Sequence, residues 1–164
     1  LLKDKATGKK EDASARISML KMDLSAPDLA SARQNLDLIV DGGAPVPGLS
    51  RNDHRRWGAT LGGDVFVWRS GVGVDAHGNL IYAAGQVDIL SLANVLARAG
   101  AVRAMELDIN PEWPIFNVYN GPGARGAVLT VPNPNQIPGR FLYSSTKDFF
   151  AVYVAHRPGE PQPW

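Results

Sequence analysis

Residues 104–110 read Ala-Met-Glu-Leu-Asp-Ile-Asn, with apolar and polar residues in strict alternation from Met105. Side chains of a β-strand point to opposite faces in turn, so such a run specifies a strand with one face against a core and one open. Met105, Leu107 and Ile109 are expected to point inward, and Glu106, Asp108 and Asn110 to line the open side. Same-face neighbours lie roughly 6.5–7 Å apart along a strand. Two carboxylates at that spacing, followed by an amide, suit acid–base chemistry on a sugar or phosphate; a half-exposed strand with ordinary polar residues is the competing reading.

The chain around this strand is punctuated like an α+β domain. Residues 1–16 are polar and basic and read as a flexible or linker segment. A short strand is expected over 17–22. A helix follows, with Ser25 as N-cap, Pro27 in its first turn, and Leu29, Ala32 and Arg33 at helical spacing to about Asn35. Residues 36–40 are apolar apart from Asp37 and end at the turn Asp41-Gly42-Gly43, and 44–56 read as irregular and exposed. Strands are expected over 58–61, 65–74 and 80–84, the last two joined by a hairpin loop at 75–79. Asp88 caps a helix whose apolar positions Ile89, Leu92, Ala93 and Leu96 recur every three to four residues, and Gly100 stops it. Pro111 closes the alternating strand because it has no N–H to donate. Further strands are expected over 115–119 and 149–155, separated by a Pro- and Gly-rich loop over 121–139, with a Pro-rich tail at 157–164. The expected fold is a mixed or antiparallel β-sheet with one or two packed helices, forming one domain over 17–156.

With 164 residues, 45% of them hydrophobic, the chain can bury a core. A net charge of +1 gives no electrostatic case for nucleic acid. No apolar run approaches the ~20 residues of a membrane helix, so no transmembrane segment is expected. No cysteine is present, which removes disulfides and thiolate chemistry. His54, His77 and His156 show no metal-ligand spacing, so neither metal nor cofactor is expected. The opening Leu1-Leu2-Lys3-Asp4 reads as the interior of a longer chain.

The segment 68–80, Trp-Arg-Ser-Gly-Val-Gly-Val-Asp-Ala-His-Gly-Asn-Leu, resembles the Arg-[Thr/Ser]-small-[Ile/Val]-Gly strand and hairpin of the phosphodiester glycosidases, relatives of N-acetylglucosamine-1-phosphodiester alpha-N-acetylglucosaminidase. The family's Ser-Leu-Ala-x-x-Leu helix corresponds to Ser91-Leu92-Ala93-Asn94-Val95-Leu96, and its Asn-Leu-Asp strand to Glu106-Leu107-Asp108. Order and spacing agree over about 38–154. The resemblance implies hydrolysis of a sugar-1-phosphodiester at the anomeric carbon, in a secreted or envelope-associated protein acting on phosphorylated glycan or polysaccharide. It implies Asp108 as a catalytic carboxylate, and Arg69 with Ser70 as substrate-binding residues. Arg69 would meet the phosphate with its planar fork of donors. Glu106 stands where the family has Asn and is a second candidate acid or base. Asn110 is placed against a sugar hydroxyl and Trp113 as a stacking platform.

Two departures matter. The family's run of glycines after Leu-Asp, which can aim backbone N–H groups at a phosphate, is here Ile109-Asn110-Pro111. The family's N-terminal half, with its Asn-Gly-Gly-aromatic motif, has no counterpart before Leu36, so the chain reads either as a C-terminal portion whose cleft a missing half or partner chain completes, or as one whose site is incomplete or altered. The alternative function is a non-catalytic glycan-binding or structural module.

Overall fold

A computed structural model describes residues 36–120, 126–144, 146–147 and 149–152. The strand expected over 17–22 and the helix capped by Ser25 lie outside the described residues. The described residues form seven strands and two α-helices. In chain order they are β1 (Leu38–Asp41), β2 (Ala44–Pro45), α1 (His54–Trp57), β3 (Val67–Val74), β4 (Leu80–Val87), α2 (Ile89–Arg98), β5 (Arg103–Ile109), β6 (Asn117–Tyr119) and β7 (Ala127–Leu129). The fold is α+β, as expected. Five strands form an antiparallel sheet in the order β2-β1-β5-β3-β4, and β6 pairs with β7 apart from it.

α2 forms for the reasons visible in its sequence. The Asp88 side chain accepts a hydrogen bond from Ser91 N at 2.6 Å, satisfying an N–H that the first turn leaves open. Ile89, Leu92, Ala93 and Leu96 face inward and are buried. Burying each of the three large side chains contributes roughly 1.5–3 kcal/mol. They lie on the sheet face presented by Ile81, Ala83 and Ala104, and Ile39, Val40, Leu49 and Trp57 extend the core toward β1.

Close approach of α2 to the sheet depends on two glycines of β3. A Cβ on Gly71 would stand 2.9 Å from Leu96 Cδ1 and 3.1 Å from the Met105 carbonyl oxygen; one on Gly73 would stand 2.7 Å from Ala101 Cβ. These are the small residues in the Arg-Ser-Gly-Val-Gly run, and here they serve packing.

Several boundaries differ from those expected. Residues 58–60 form no strand, and Leu61–Gly63 is a 3-10 turn in which Gly62 has φ 68°. β4 extends to Val87, beyond the expected Ala84, because all eight of its residues stay in register with β3. The 44–56 stretch is more ordered than expected: Leu49 and Trp57 anchor it in the core, and Trp57 Nε1 donates to the Leu38 carbonyl at 3.2 Å. The 121–139 loop contains β7. Residues 149–152, expected to be part of a strand, are described without one.

Candidate functional site

The alternating strand is β5, and its register against β3 changes partway along. Gly71 pairs with Glu106, but Arg69 pairs with Ile109. One residue of β3, Ser70, therefore stands against two of β5, Leu107 and Asp108, which is a β-bulge. Directly paired residues share a face of the sheet. Glu106 and Ile109 thus fall on the α2 face with Arg69 and Gly71, and Leu107 and Asp108 fall on the other face with Ser70. This corrects the expected alternation. The two acids point to opposite faces, and Glu106 does not line an open side.

On the α2 face, Arg69 Nη1 donates to Glu106 Oε1 at 2.7 Å, and both side chains are 0% exposed. Arg69 Nη2 also reaches the Val65 carbonyl at 3.4 Å. Burial pushes the Glu106 carboxyl up from 4.5 to about 7, against the opposing hydrogen bond and charge of Arg69. The expected phosphate-binding guanidinium and second carboxylate are therefore a buried ion pair bracing β3 to β5.

On the other face, the bulge exposes Asp108. Ser70 Oγ receives a hydrogen bond from Asp108 N at 3.1 Å and lies 3.4 Å from the Asp108 carbonyl, holding the bulge in place. Tyr82 of β4 shares this face. Its hydroxyl donates to the Ile115 carbonyl at 3.2 Å, and its ring packs on Phe116 with centroids 5.1 Å apart. Burial raises the Tyr82 pKa; the Asp108 charge raises it further, and hydrogen bonds to Ser70 and Ile115 oppose. Ser70, Tyr82 and Asp108 thus form one polar group. Sequence reading did not single out Tyr82, although it is the one side chain with a polar tip between Leu80 and Gly85.

Asn110 adopts φ 83°, a left-handed conformation suited to glycine and tolerated by Asn. It therefore turns the chain where the resembled family has glycines. Its N–H donates to the Trp68 carbonyl at 2.9 Å, and its Oδ1 accepts from Leu61 N at 2.9 Å. The side-chain oxygen thus ties the end of β5 to the 3-10 turn at Leu61–Gly63. Trp113 is half-buried beneath two cations, with Lys147 Nζ 4.2 Å and the Arg140 guanidinium 5.8 Å from its ring centroid. A hollow of about 220 Å³ lies elsewhere, lined by Pro47, Gly48, Arg51, Asp53, Arg56 and Trp57, and none of the expected site residues borders it.

Among the described residues no group of three or more His, Asp or Glu is placed to hold a metal ion, and no helix is long and apolar enough to cross a membrane. Comparison with protein-family models, curated proteins and solved structures gives no match for this chain.

Proposed function

We propose that the chain is a glycosidase-type hydrolase that cleaves a sugar-1-phosphodiester in extracellular or envelope glycan, with Asp108 as its reacting carboxylate. The observation that carries this reading is the bulge opposite Ser70, which delivers Asp108 to solvent beside the Ser70 and Tyr82 hydroxyls while Glu106 is withdrawn. A sequence resemblance centred on the same two strands supports it.

In this reading Asp108 takes a proton from water as the water oxygen bonds to the anomeric carbon. The C1–O bond breaks, its electron pair stays with the phosphate oxygen, and free sugar and a phosphomonoester result. Tyr82, kept protonated by its raised pKa, spends its proton on the Ile115 carbonyl and offers its hydroxyl oxygen as an acceptor near Asp108. The cations gathered on Trp113, Arg140 and Lys147, are the candidates for the phosphate charge. Arg69 and Glu106 act as positioning residues that fix the strand carrying Asp108.

The test is release of sugar from a sugar-1-phosphate ester of p-nitrophenol. Wild-type protein should release sugar and the aryl phosphate in equal amounts, and Asp108→Asn should lower kcat at least 100-fold. Equal rates for both proteins overturn the assignment. The second reading, a glycan-binding module, is favoured by the withdrawal of Glu106, which leaves no second acid on the Asp108 strand face. Saturable binding of the ester without turnover would select it.

A further inference from the structure

The hollow beside α1 has an apolar floor and charged walls. The floor is Trp57, buried in the core and fixed by the Nε1 bond to the Leu38 carbonyl. Gly48 keeps this floor open. Its φ of 94° favours glycine, and a Cβ there would stand 3.8 Å from Trp57 Cη2, at the edge of the ring.

Arg56 forms one wall and is held from two sides. Its Nε donates to Asp37 Oδ2 at 2.7 Å, and its Cζ lies 4.5 Å from the Trp57 ring centroid. A guanidinium fixed in this way loses little rotamer freedom on binding. Its two Nη groups donate to no described residue. Arg51 stands at a second wall, on a turn closed by the bond from its N–H to the Gly48 carbonyl at 3.0 Å. Asp53 borders the same space. Its Oδ1 accepts from Arg55 N at 3.0 Å, which leaves Oδ2 without a donor among the described residues. Arg51 and Asp53 are two positions apart and line one hollow, yet they form no ion pair. Each keeps its hydrogen-bonding capacity for a third group.

We propose that this hollow binds an acidic monosaccharide, a hydroxylated six-membered ring bearing one oxyanion. The oxyanion meets Arg51 and Arg56, whose planar forks suit carboxylate or phosphate oxygens. A ring hydroxyl donates to Asp53 Oδ2. A bare anion would leave that carboxylate unanswered and be repelled by it. A ligand cation would find the Trp57 face already covered by Arg56. Size agrees with this choice. About 220 Å³ is several times the ~30 Å³ share of one water, and less than the roughly 300–1,000 Å³ of pockets for larger organic ligands. The hollow shares no residue with the Asp108 site, so the inference stands whether or not Asp108 reacts.

NMR titration of the whole chain tests this through the backbone amides of Gly48 and Arg51 and the Arg56 Nε–H. With glucuronate or glucose 6-phosphate these signals should move saturably, and the tighter of the two tells carboxylate from phosphate. Glucose, which lacks the oxyanion, should bind at least 10-fold more weakly. So should inorganic phosphate, which lacks the ring, and glutamate, which offers an ammonium in place of hydroxyls. Arg51→Ala and Asp53→Asn should each weaken sugar-acid binding at least 5-fold. Both should fold, since Arg51 is exposed and Asn caps a helix as well as Asp does. Absence of saturable movement at Gly48, Arg51 and Arg56 overturns the proposal. Binding retained in full by both variants also overturns it. Inorganic phosphate or glutamate binding as tightly as the sugar acids overturns it as well, and reduces the hollow to a general anion contact.

Discussion

Arg69 and Glu106 meet end to end at 2.7 Å with neither side chain reached by solvent, one from β3 and one from β5. The pair sits next to the bulge that turns Asp108 to the opposite face. Breaking a buried pair from one side leaves an uncompensated charge and typically costs 3–5 kcal/mol, whereas replacing both partners with apolar residues is often neutral. Arg69→Ala should therefore lower unfolding stability by about 3–5 kcal/mol in urea at pH 8, where Glu106 is charged, and Arg69→Met combined with Glu106→Leu should recover most of it.

The same pair sets a pH dependence. The Glu106 carboxyl is raised in the folded protein to about 7 from 4.5. Between those values the folded state holds the proton that the unfolded chain releases, so stability is fully present below about 4.5 and falls as pH rises through about 7. The fall is of order 3 kcal/mol. Urea unfolding at pH 5 and pH 8 should show the loss, and Glu106→Gln should flatten it.

Gly73 allows α2 and its following loop to rest on β3. An added Cβ would lie 2.7 Å from Ala101 Cβ and 3.2 Å from the Arg103 carbonyl, so backbone must shift. Gly73→Ala should cost about 1–3 kcal/mol by urea unfolding. Gly85→Ala, where the nearest atom of Val87 is 3.8 Å away, should cost much less.

Much of this architecture is legible in the sequence because the signals are local. The Asp88 cap, the spacing of Ile89, Leu92, Ala93 and Leu96, and the Asp41-Gly42-Gly43 turn each depend on neighbours within a few residues. The burial of Glu106 is not legible for a different reason. Its face is set by the pairing of β5 with β3, and a bulge inverts the alternation at Asp108 without leaving a mark in the β5 sequence. The partner that makes burial of Glu106 tolerable, Arg69, lies 37 residues away. Tyr82 was missed because its meaning comes from lying on the Ser70 face, which only the sheet register reveals.

Asn110 occupies a backbone conformation that favours glycine. Asn110→Val should destabilise by about 1–3 kcal/mol through strain in the left-handed region, added to loss of the bond to Leu61 N. Asn110→Gly should lose the bond alone and cost about 1 kcal/mol. Thermal unfolding of the two variants side by side makes the comparison.

The most direct measurement follows the carboxyl carbons of Asp108 and Glu106 by carbon-13 NMR while an unreactive phosphonate analogue of a sugar-1-phosphodiester is added. The Asp108 resonance should move saturably with ligand, and the Glu106 resonance should stay fixed behind the sheet. Movement of Glu106 with Asp108 unaffected would contradict the division of the two acids between faces and, with it, the role given to Asp108.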